Sequence, residues 1–443
     1  MTAPQPTTET SLRRNRDFNI LWAGQVVSQL GGRIAGVALP LLVLATTGSP
    51  AKAGVVGFAG TIPLLVLTLP AGVVADRWDR KRTMIACDAI RCVAYAALVL
   101  AIAIGRLPFA EIVVVALING TGTVFFGIAE RAALRSVVAE HQLPSALAQN
   151  EARDSVSLLG GPALGGALYG LARLAPFVFN AASFLVSVLS LFFVRARFQE
   201  DRARPESRRL PHEILTGLAW FWRQPFVRTT ALLVTGSDFV LNALYLVVIV
   251  LARQKGASSA MVGVMFVFLG VGGLLGSWAA PYLARRLTTR TVVVTTMAAV
   301  AGLLPLLLIA PDAIAIGAVY GAMFLLHPTW GSTVGAYRLA LTPDHMQGRV
   351  ASIVWLLSFG SVPLGFLAVG FVLADVGTTP TVLGLTGIML VVSLCAFTSR
   401  SVRAAPRRLY RSVLPHDEHV LEVLAGAAPG PPVDVTAEPL VEP

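Results

Sequence analysis

Long uncharged apolar stretches alternate along the chain with short polar breaks, and the stretches are too long for the helices of a water-soluble domain. Twelve of them reach the roughly 20 residues an α-helix needs to cross about 30 Å of hydrocarbon. They lie near residues 19–46, 54–75, 83–104, 109–137, 145–171, 175–194, 226–252, 258–284, 290–310, 313–338, 348–374 and 379–399. Pro63, Pro70, Pro162, Pro305 and Pro363 fall inside them, which a bundle tolerates because neighbouring helices shield the freed backbone groups. The longest polar break divides the spans six and six. Its second part, Pro211 to Trp222, has apolar residues at helical spacing and reads as a helix along the membrane interface. The pattern predicts an all-α membrane protein in five parts. These are a polar tail over 1–18, a six-helix half over 19–194, a central loop with the interfacial helix over 195–225, a second six-helix half over 226–403, and a disordered tail over 404–443, rich in Pro, Ala and acids.

Charge orients these spans. With the N-terminus set in the cytoplasm, 28 of the 35 Lys and Arg fall on the cytoplasmic side. Five fall outside (Lys52, Arg106, Arg173, Arg253, Lys255), and two, Arg33 and Arg91, lie within spans. By the positive-inside rule both termini are expected in the cytoplasm. Topology thus accounts for the formal charge of +11, and no nucleic-acid partner is expected. Composition agrees, since only 13% of residues are charged, about half the roughly 25% share of a soluble domain. The polar start carries no signal-peptide pattern, so the first span is expected to direct insertion into the cell membrane. Cys87, Cys92 and Cys395 all sit in apolar segments and read as small buried hydrophobes.

A dense charge cluster, Gly72-Val-Val-Ala-Asp76-Arg77-Trp-Asp79-Arg80-Lys81-Arg82, is pinned between the second and third spans. The pattern G-x-x-x-D-R-x-x-R-K-R resembles the loop between helices 2 and 3 of the major facilitator superfamily of secondary transporters. The resemblance implies twelve helices in two halves. It also implies a conformational latch on the cytoplasmic side, formed by Gly72, Asp76, Arg77, Arg80 and Lys81. In that role Gly72 would admit a close backbone approach, and Asp76 would accept hydrogen bonds from a neighbouring helix N-terminus or an Arg. Asp79 stands where the family usually has glycine. The plainer reading is a topogenic basic loop with two solvated acids. A crude repeat pairs Val74–Lys81 with Leu283–Arg290 at an offset of 209, with Arg285 in place of Asp76.

The fifth span carries Gly160-Gly161-Pro162-Ala-Leu-Gly165-Gly166. Glycines let helices touch backbone to backbone, and the proline supplies a kink or pivot. The string is similar to the helix 5 motif of facilitator drug antiporters, which implies export; a proton-coupled importer of a small nutrient on the same fold is the alternative.

In this fold spans 1, 4, 7 and 10 line a central cavity. Their midpoints carry Arg33, Asn119, Asp238 with Asn242, and His327, while Gln25 and Gln29 precede Arg33 by two turns and one. A charge at the bilayer centre costs about 2.5–3.5 kcal/mol, so Arg33 and Asp238 are expected to pair or to face water. Acid, base and imidazole around one cavity suit proton exchange with a substrate; a salt bridge that only packs the halves is the other reading. Drug antiporters often carry an Arg in mid helix 4, but Ala116 to Gly122 contains none. Asp88 and Arg91 are spaced i, i+3 and are expected to pair locally near the cytoplasmic face. Glu130, Arg131, Arg135, Glu151, Arg153 and Asp154 are expected to form interfacial ion pairs around the fourth loop.

Arg14 to Ser28, Thr47-Gly-Ser49 and Thr342 to Arg349 resemble the branch containing the enterobactin exporter and macrolide efflux proteins. This implies a monomeric antiporter that exchanges protons for a drug, antibiotic or siderophore-like molecule by alternating access. The sequence has no HExxH, Gly-rich phosphate loop, Walker motif or Cys/His cluster. No cofactor, metal or enzymatic reaction is therefore expected, and a membrane sensor or enzyme is the weaker rival.

Overall fold

A computed structural model describes residues 12–196, 198 and 210–404. The first part of the central loop and the tail from residue 405, for which disorder is expected, lie outside the described residues, as do residues 1–11. The first half comprises α1 (Arg16–Thr47), α2 (Pro50–Arg77), α3 (Arg80–Ala103), α4 (Phe109–Val137), α5 (Leu143–Leu171) and α6 (Ala175–Phe193). The segment expected to lie along the membrane interface forms a helix, α7 (Leu210–Arg223). The second half comprises α8 (Pro225–Gln254), α9 (Ser259–Arg286), α10 (Thr289–Leu303) with α11 (Leu306–Ile309), α12 (Ala313–Phe324) with α13 (His327–Leu341), α14 (Gln347–Val376) and α15 (Thr378–Thr398), followed by the short α16 (Arg400–Arg403).

Eleven of these segments are long and apolar enough to cross a membrane, with α10–α11 and α12–α13 each counted as one. The twelfth, α5, has 29 residues, but Glu151, Arg153 and Asp154 lower its hydropathy. Leu69, Leu171 and Trp278 stand exposed on the bundle's flanks, as lipid-facing side chains must. Two spans are interrupted where proline removes a helix donor and crowds the preceding turn: the ninth at Pro305, the tenth just before Pro328.

Local chemistry sets the turns. Asn15 caps α1 by accepting from the Phe18 amide, and α1 ends at Gly48 in the left-handed region, φ 65°. Only Trp78 and Asp79 separate α2 from α3. Asp79 caps α3 by accepting from the Arg82 amide at 2.8 Å, which explains an acid where the family pattern has glycine.

Within the first half α1 packs on α5 and α6, α2 on α4, and α3 on α4 and α6. The halves meet along two seams, α2 on α14 and α5 on α9. At each seam glycine replaces side chain by backbone contact. A Cβ on Gly54 would lie 2.7 Å from Gly370 Cα, and one on Gly166 would lie 2.7 Å from Gly263 Cα. Gly263 follows Gly54 by 209 residues, the offset of the sequence repeat, so the seams are pseudo-symmetric copies. Both lie on the face away from the start of α1, the α2–α3 turn and α7. That latter side is called the basic face below. There α7 rests on α14, with Gly217 against the Arg349 side chain and Phe221 buried among Val227, Val350 and Val354. Trp222 stays exposed.

Asp88 and Arg91 pair, two to three turns in from the start of α3 and out of contact with solvent. Asp88 is 0% and Arg91 6% exposed, enclosed within the first half. The guanidinium lies 4.4 Å from the Phe184 ring centroid and 5.3 Å from that of Phe126, a cation–π arrangement. The missing Cβ of Gly122 makes room for its stem. Removing one partner of a buried pair strands the other charge. Asp88→Ala is expected to cost about 3–5 kcal/mol, and Asp88→Leu combined with Arg91→Leu to restore most of it. Thermal unfolding of the purified protein measures both.

Candidate substrate cavity

A cavity of about 940 Å³ lies between the halves, at the upper end of the range for drug-sized ligands. On α8 it runs from Thr230 near the basic face to Tyr245, and on α14 from Ala351 to Phe366. It therefore opens toward the basic face. The opposite end is shut by the glycine seams and by an aromatic plug. Tyr245 packs 4.6 Å from Phe266 and 6.0 Å from Phe366, centroid to centroid, and Phe366 also fills the space beside Gly57.

Five of the residues expected at the cavity line it: Arg33, Asn119, Asp238, Asn242 and His327. Arg33 is exposed into it. The α5 motif positions Arg33, because a Cβ on Gly161 would collide with the Cβ of Arg33, and one on Gly165 would lie 2.6 Å from the Ile34 carbonyl oxygen. Pro162 reaches the cavity wall itself, and its carbonyl would lie 2.6 Å from a Cβ on Gly263. One motif thus fastens α5 to α1 on one side and to α9 on the other.

Arg33 and Asp238 do not pair. Among the described residues no ion pair joins them, and each faces the cavity separately. Arg33 lies close enough to Tyr245 to act on it electrostatically, whereas Asp238 faces Ser358 on α14. Seven residues separate Asp238 from Tyr245, about 10 Å of helix rise. Arg33 thus acts on a residue two turns beyond Asp238 and is not paired with Asp238 itself. Asn242 spends its amide on the Asp238 carbonyl, 2.8 Å away, in its own helix. His327 opens α13, its ring 6.0 Å from that of Phe324.

Two expected members lie elsewhere. Gln25 is 2% exposed and donates to Ser187 Oγ on α6 at 2.9 Å, and Gln29 is not on the cavity wall. Residues the sequence reading missed include Arg338 near the basic face, and a wall of Tyr245, Trp330, Trp355, Phe359 and Phe366. Their signal was helical spacing: Val354, Trp355, Ser358, Phe359 and Val362 repeat every three or four residues on α14.

At the basic face, the α2–α3 cluster ties the first half together. Arg80 Nη1 donates to the carbonyls of Ala132 (3.2 Å) and Phe198 (3.1 Å), and Nε to that of Ala75 (3.2 Å). Lys81 Nζ donates to the Val194 carbonyl, just past α6, at 2.7 Å. Of these carbonyls, that of Ala75 lies in the last turn of α2, where a helix end leaves acceptors open. Those of Val194 and Phe198 lie in the segment after α6. Asp76 and Arg77 are exposed, and Asp76 has a partner of its own. The close backbone approach expected at Gly72 is absent, with no atom within 4 Å of a Cβ there, because the halves are parted on this face. Beside the cluster Arg153, 5% exposed, pairs with Glu130 at 2.7 Å and with Asp154 at 3.2 Å.

Comparison with known proteins agrees with this architecture. The model of the family described as "Transmembrane secretion effector" matches residues 7–438. The multidrug efflux pump Tap of Mycolicibacterium fortuitum is 29% identical over 409 residues, covering 87% of this chain and 96% of that protein. Macrolide efflux protein A of Streptococcus pyogenes is 28% identical over 203 residues, 46% of this chain and 50% of that protein. Among solved structures, a bacterial homologue of the human lysosomal transporter Spinster in an inward-facing, unoccupied conformation superposes with a TM-score of 0.68. It is 12% identical and covers 89% of this chain and 98% of that one. A bacterial homologue of the iron transporter ferroportin, also inward-facing, gives 0.68 at 17% identity, covering 87% and 98%.

Proposed function

The chain belongs to the transmembrane secretion effector family of the major facilitator superfamily, a multi-pass protein of the cell membrane, and from that premise we propose that it exports a small molecule from the cell by proton antiport. The observation that carries this reading is the cavity itself. It holds an unpaired carboxylate, an Arg and an imidazole between two halves, and it is open on one face and sealed by backbone seams on the other. The relatives named as multidrug and macrolide efflux pumps support the direction and the substrate class. The excess of Lys and Arg supports placing the basic face, and both termini, in the cytoplasm. The cavity then receives substrate from the cytoplasm.

Export follows if the seams part while the basic face closes, since interfaces of this kind are bistable. A cationic substrate group and a proton compete for Asp238. Protonation from outside releases the substrate, and deprotonation inside restores the site. Everted vesicles expressing the protein are expected to accumulate a macrolide or another drug from a chemically varied panel when energised and to lose it when the proton gradient is collapsed. Accumulation indifferent to the gradient, or none at all for a panel of such drugs, would count against the reading.

The latch belongs to the same cycle. The N-terminus of α14 has no side-chain cap, although the Gln347 backbone amide donates to the Asp344 carbonyl. The positive end of the helix suits a carboxylate when the basic face closes and brings α14 toward Gly72 and Asp76. Asp76→Asn is expected to cut transport by tenfold or more with near-normal membrane expression, about 1.4 kcal/mol or more taken from the closed state. Wild-type transport by a well-expressed variant excludes the latch.

A further inference from the structure

The cavity's two midplane charges lie on opposite walls, and neither is neutralised by the other. Arg33 projects from α1 beside Gly32 and Gly36, where an added Cβ would meet nothing within 4 Å. The backbone beside it is open on that wall, and among the described residues Arg33 has neither an ion pair nor a hydrogen bond. Asp238 projects from α8 on the other wall, with Ser358 beside it and Trp355 and Phe359 one turn or less away on α14. Tyr245, Phe266 and Phe366 form the cavity's blind end. One wall thus offers a cation on a bare backbone surface. The other offers an anion with aromatic residues near it in the cavity lining, separate from the cation.

An unpaired charge at mid-depth is expensive unless a ligand or water meets it, and here two opposite charges stand open at once. A purely cationic ligand would satisfy Asp238 and be repelled by Arg33. A purely anionic one would face the reverse. We propose that this site selects flat, aromatic, zwitterionic substrates. The anionic end is held by Arg33, the cationic end by Asp238, and the ring system lies against the aromatic wall. Guanidinium binds carboxylate as a planar fork, and an ammonium among aromatic rings gains cation–π attraction as well as its counter-ion. This deepens the export reading and rests on it for the direction of movement, but it is a statement about binding.

Its test is therefore made on binding by the purified full-length protein in lipid nanodiscs. Quenching of tryptophan fluorescence serves as the readout, since Trp330 and Trp355 line the cavity. Three probes share one ring system: norfloxacin, with a carboxylate and a piperazine ammonium at its two ends; its ethyl ester, which keeps only the ammonium; and its N-acetyl derivative, which keeps only the carboxylate. Norfloxacin is expected to bind about tenfold or more tightly than either derivative, the worth of one charged contact. Arg33→Gln should weaken norfloxacin about tenfold or more and leave the ester bound as tightly or more tightly, since the ester loses only a repulsion. Asp238→Asn should weaken it about tenfold or more and leave the N-acetyl compound bound as tightly or more tightly, since that compound loses only a repulsion. A merely structural role for either residue would weaken all three probes alike. That outcome, equal wild-type affinities, or no norfloxacin binding at millimolar concentration overturns the proposal. Norfloxacin efflux from cells is measured separately. Charge-selective binding without efflux would overturn the export reading and leave this one standing, whereas gradient-dependent drug export without charge selectivity would do the opposite.

Discussion

Gly166→Leu is expected to abolish transport while the protein still inserts and folds. The α5–α9 seam has no room for a side chain, since a Cβ at Gly166 already falls 2.7 Å from Gly263 Cα and presses on the Ser259 carbonyl. Overpacking of this kind costs about 1–3 kcal/mol. The cost falls only on the state in which α5 and α9 touch, because a parted seam leaves the leucine free. A penalty of about 3 kcal/mol shifts a two-state balance by more than a hundredfold, so the variant should be held with the seam open. In a background lacking Cys87, Cys92 and Cys395, a cysteine replacing Tyr245 at the blind end of the cavity should react with a membrane-impermeant thiol reagent added outside cells. In the parent protein it should be shielded. Gly160→Leu, six residues before Gly166 on the same helix and with no atom within 4 Å of a Cβ there, serves as the contrast and should transport normally. Loss of transport in both variants, or in neither, would mean that the seam does not govern the cycle.

The fold was legible because span length is a strong, local signal: a run of apolar residues matched to a bilayer needs no tertiary information. Helix breaks were less so, since Pro305 and Pro328 interrupt spans whereas Pro63, Pro70 and Pro363 sit within continuous helices. The difference lies in whether neighbours re-satisfy the freed carbonyls, which sequence does not record. The cavity was half legible. Midpoints of four spans located Arg33, Asn119, Asp238, Asn242 and His327, but Gln25 was misassigned by counting turns and ignoring angle. Eight residues rotate a helix about 80° past two full turns, and that rotation carries Gln25 onto the α6 side, where Ser187 holds it. Arg33 and Asp238, expected to pair or to face water, take the second course, each facing the cavity on its own. Mid-span positions on two helices agree in depth only to within a turn or two, and a salt bridge needs agreement within 4 Å. The seam glycines Gly54 and Gly370 carry no local mark among 40 glycines; only the offset shared by Gly54 and Gly263 hints at them.

Asp238→Asn is expected to abolish proton-coupled transport, and the geometry says why this acid is the candidate. Of the carboxylates within the bundle, Asp88 is bound to Arg91 and shut away from the cavity, and Glu130 is engaged by Arg153. Asp238 alone among the described carboxylates lines the cavity, with Ser358 beside it and no cation to hold it ionised in every state. A carboxylate so placed can carry a proton in one half of the cycle and a substrate ammonium in the other, and the exchange is obligatory because both use the same oxygens. Asparagine keeps the volume and some hydrogen bonding but can neither ionise nor release a proton. In energised vesicles loaded with a pH-sensitive dye, addition of substrate should move protons in the wild type and not in the variant, and accumulation against a gradient should disappear. Downhill movement of a substrate without a cationic group should persist, because the moving parts are intact. Unchanged substrate-induced proton flux in Asp238→Asn would place coupling elsewhere. His327, the other titratable group facing the mid-cavity, is then the residue to replace next, with His327→Gln expected to stop the flux that Asp238→Asn had left.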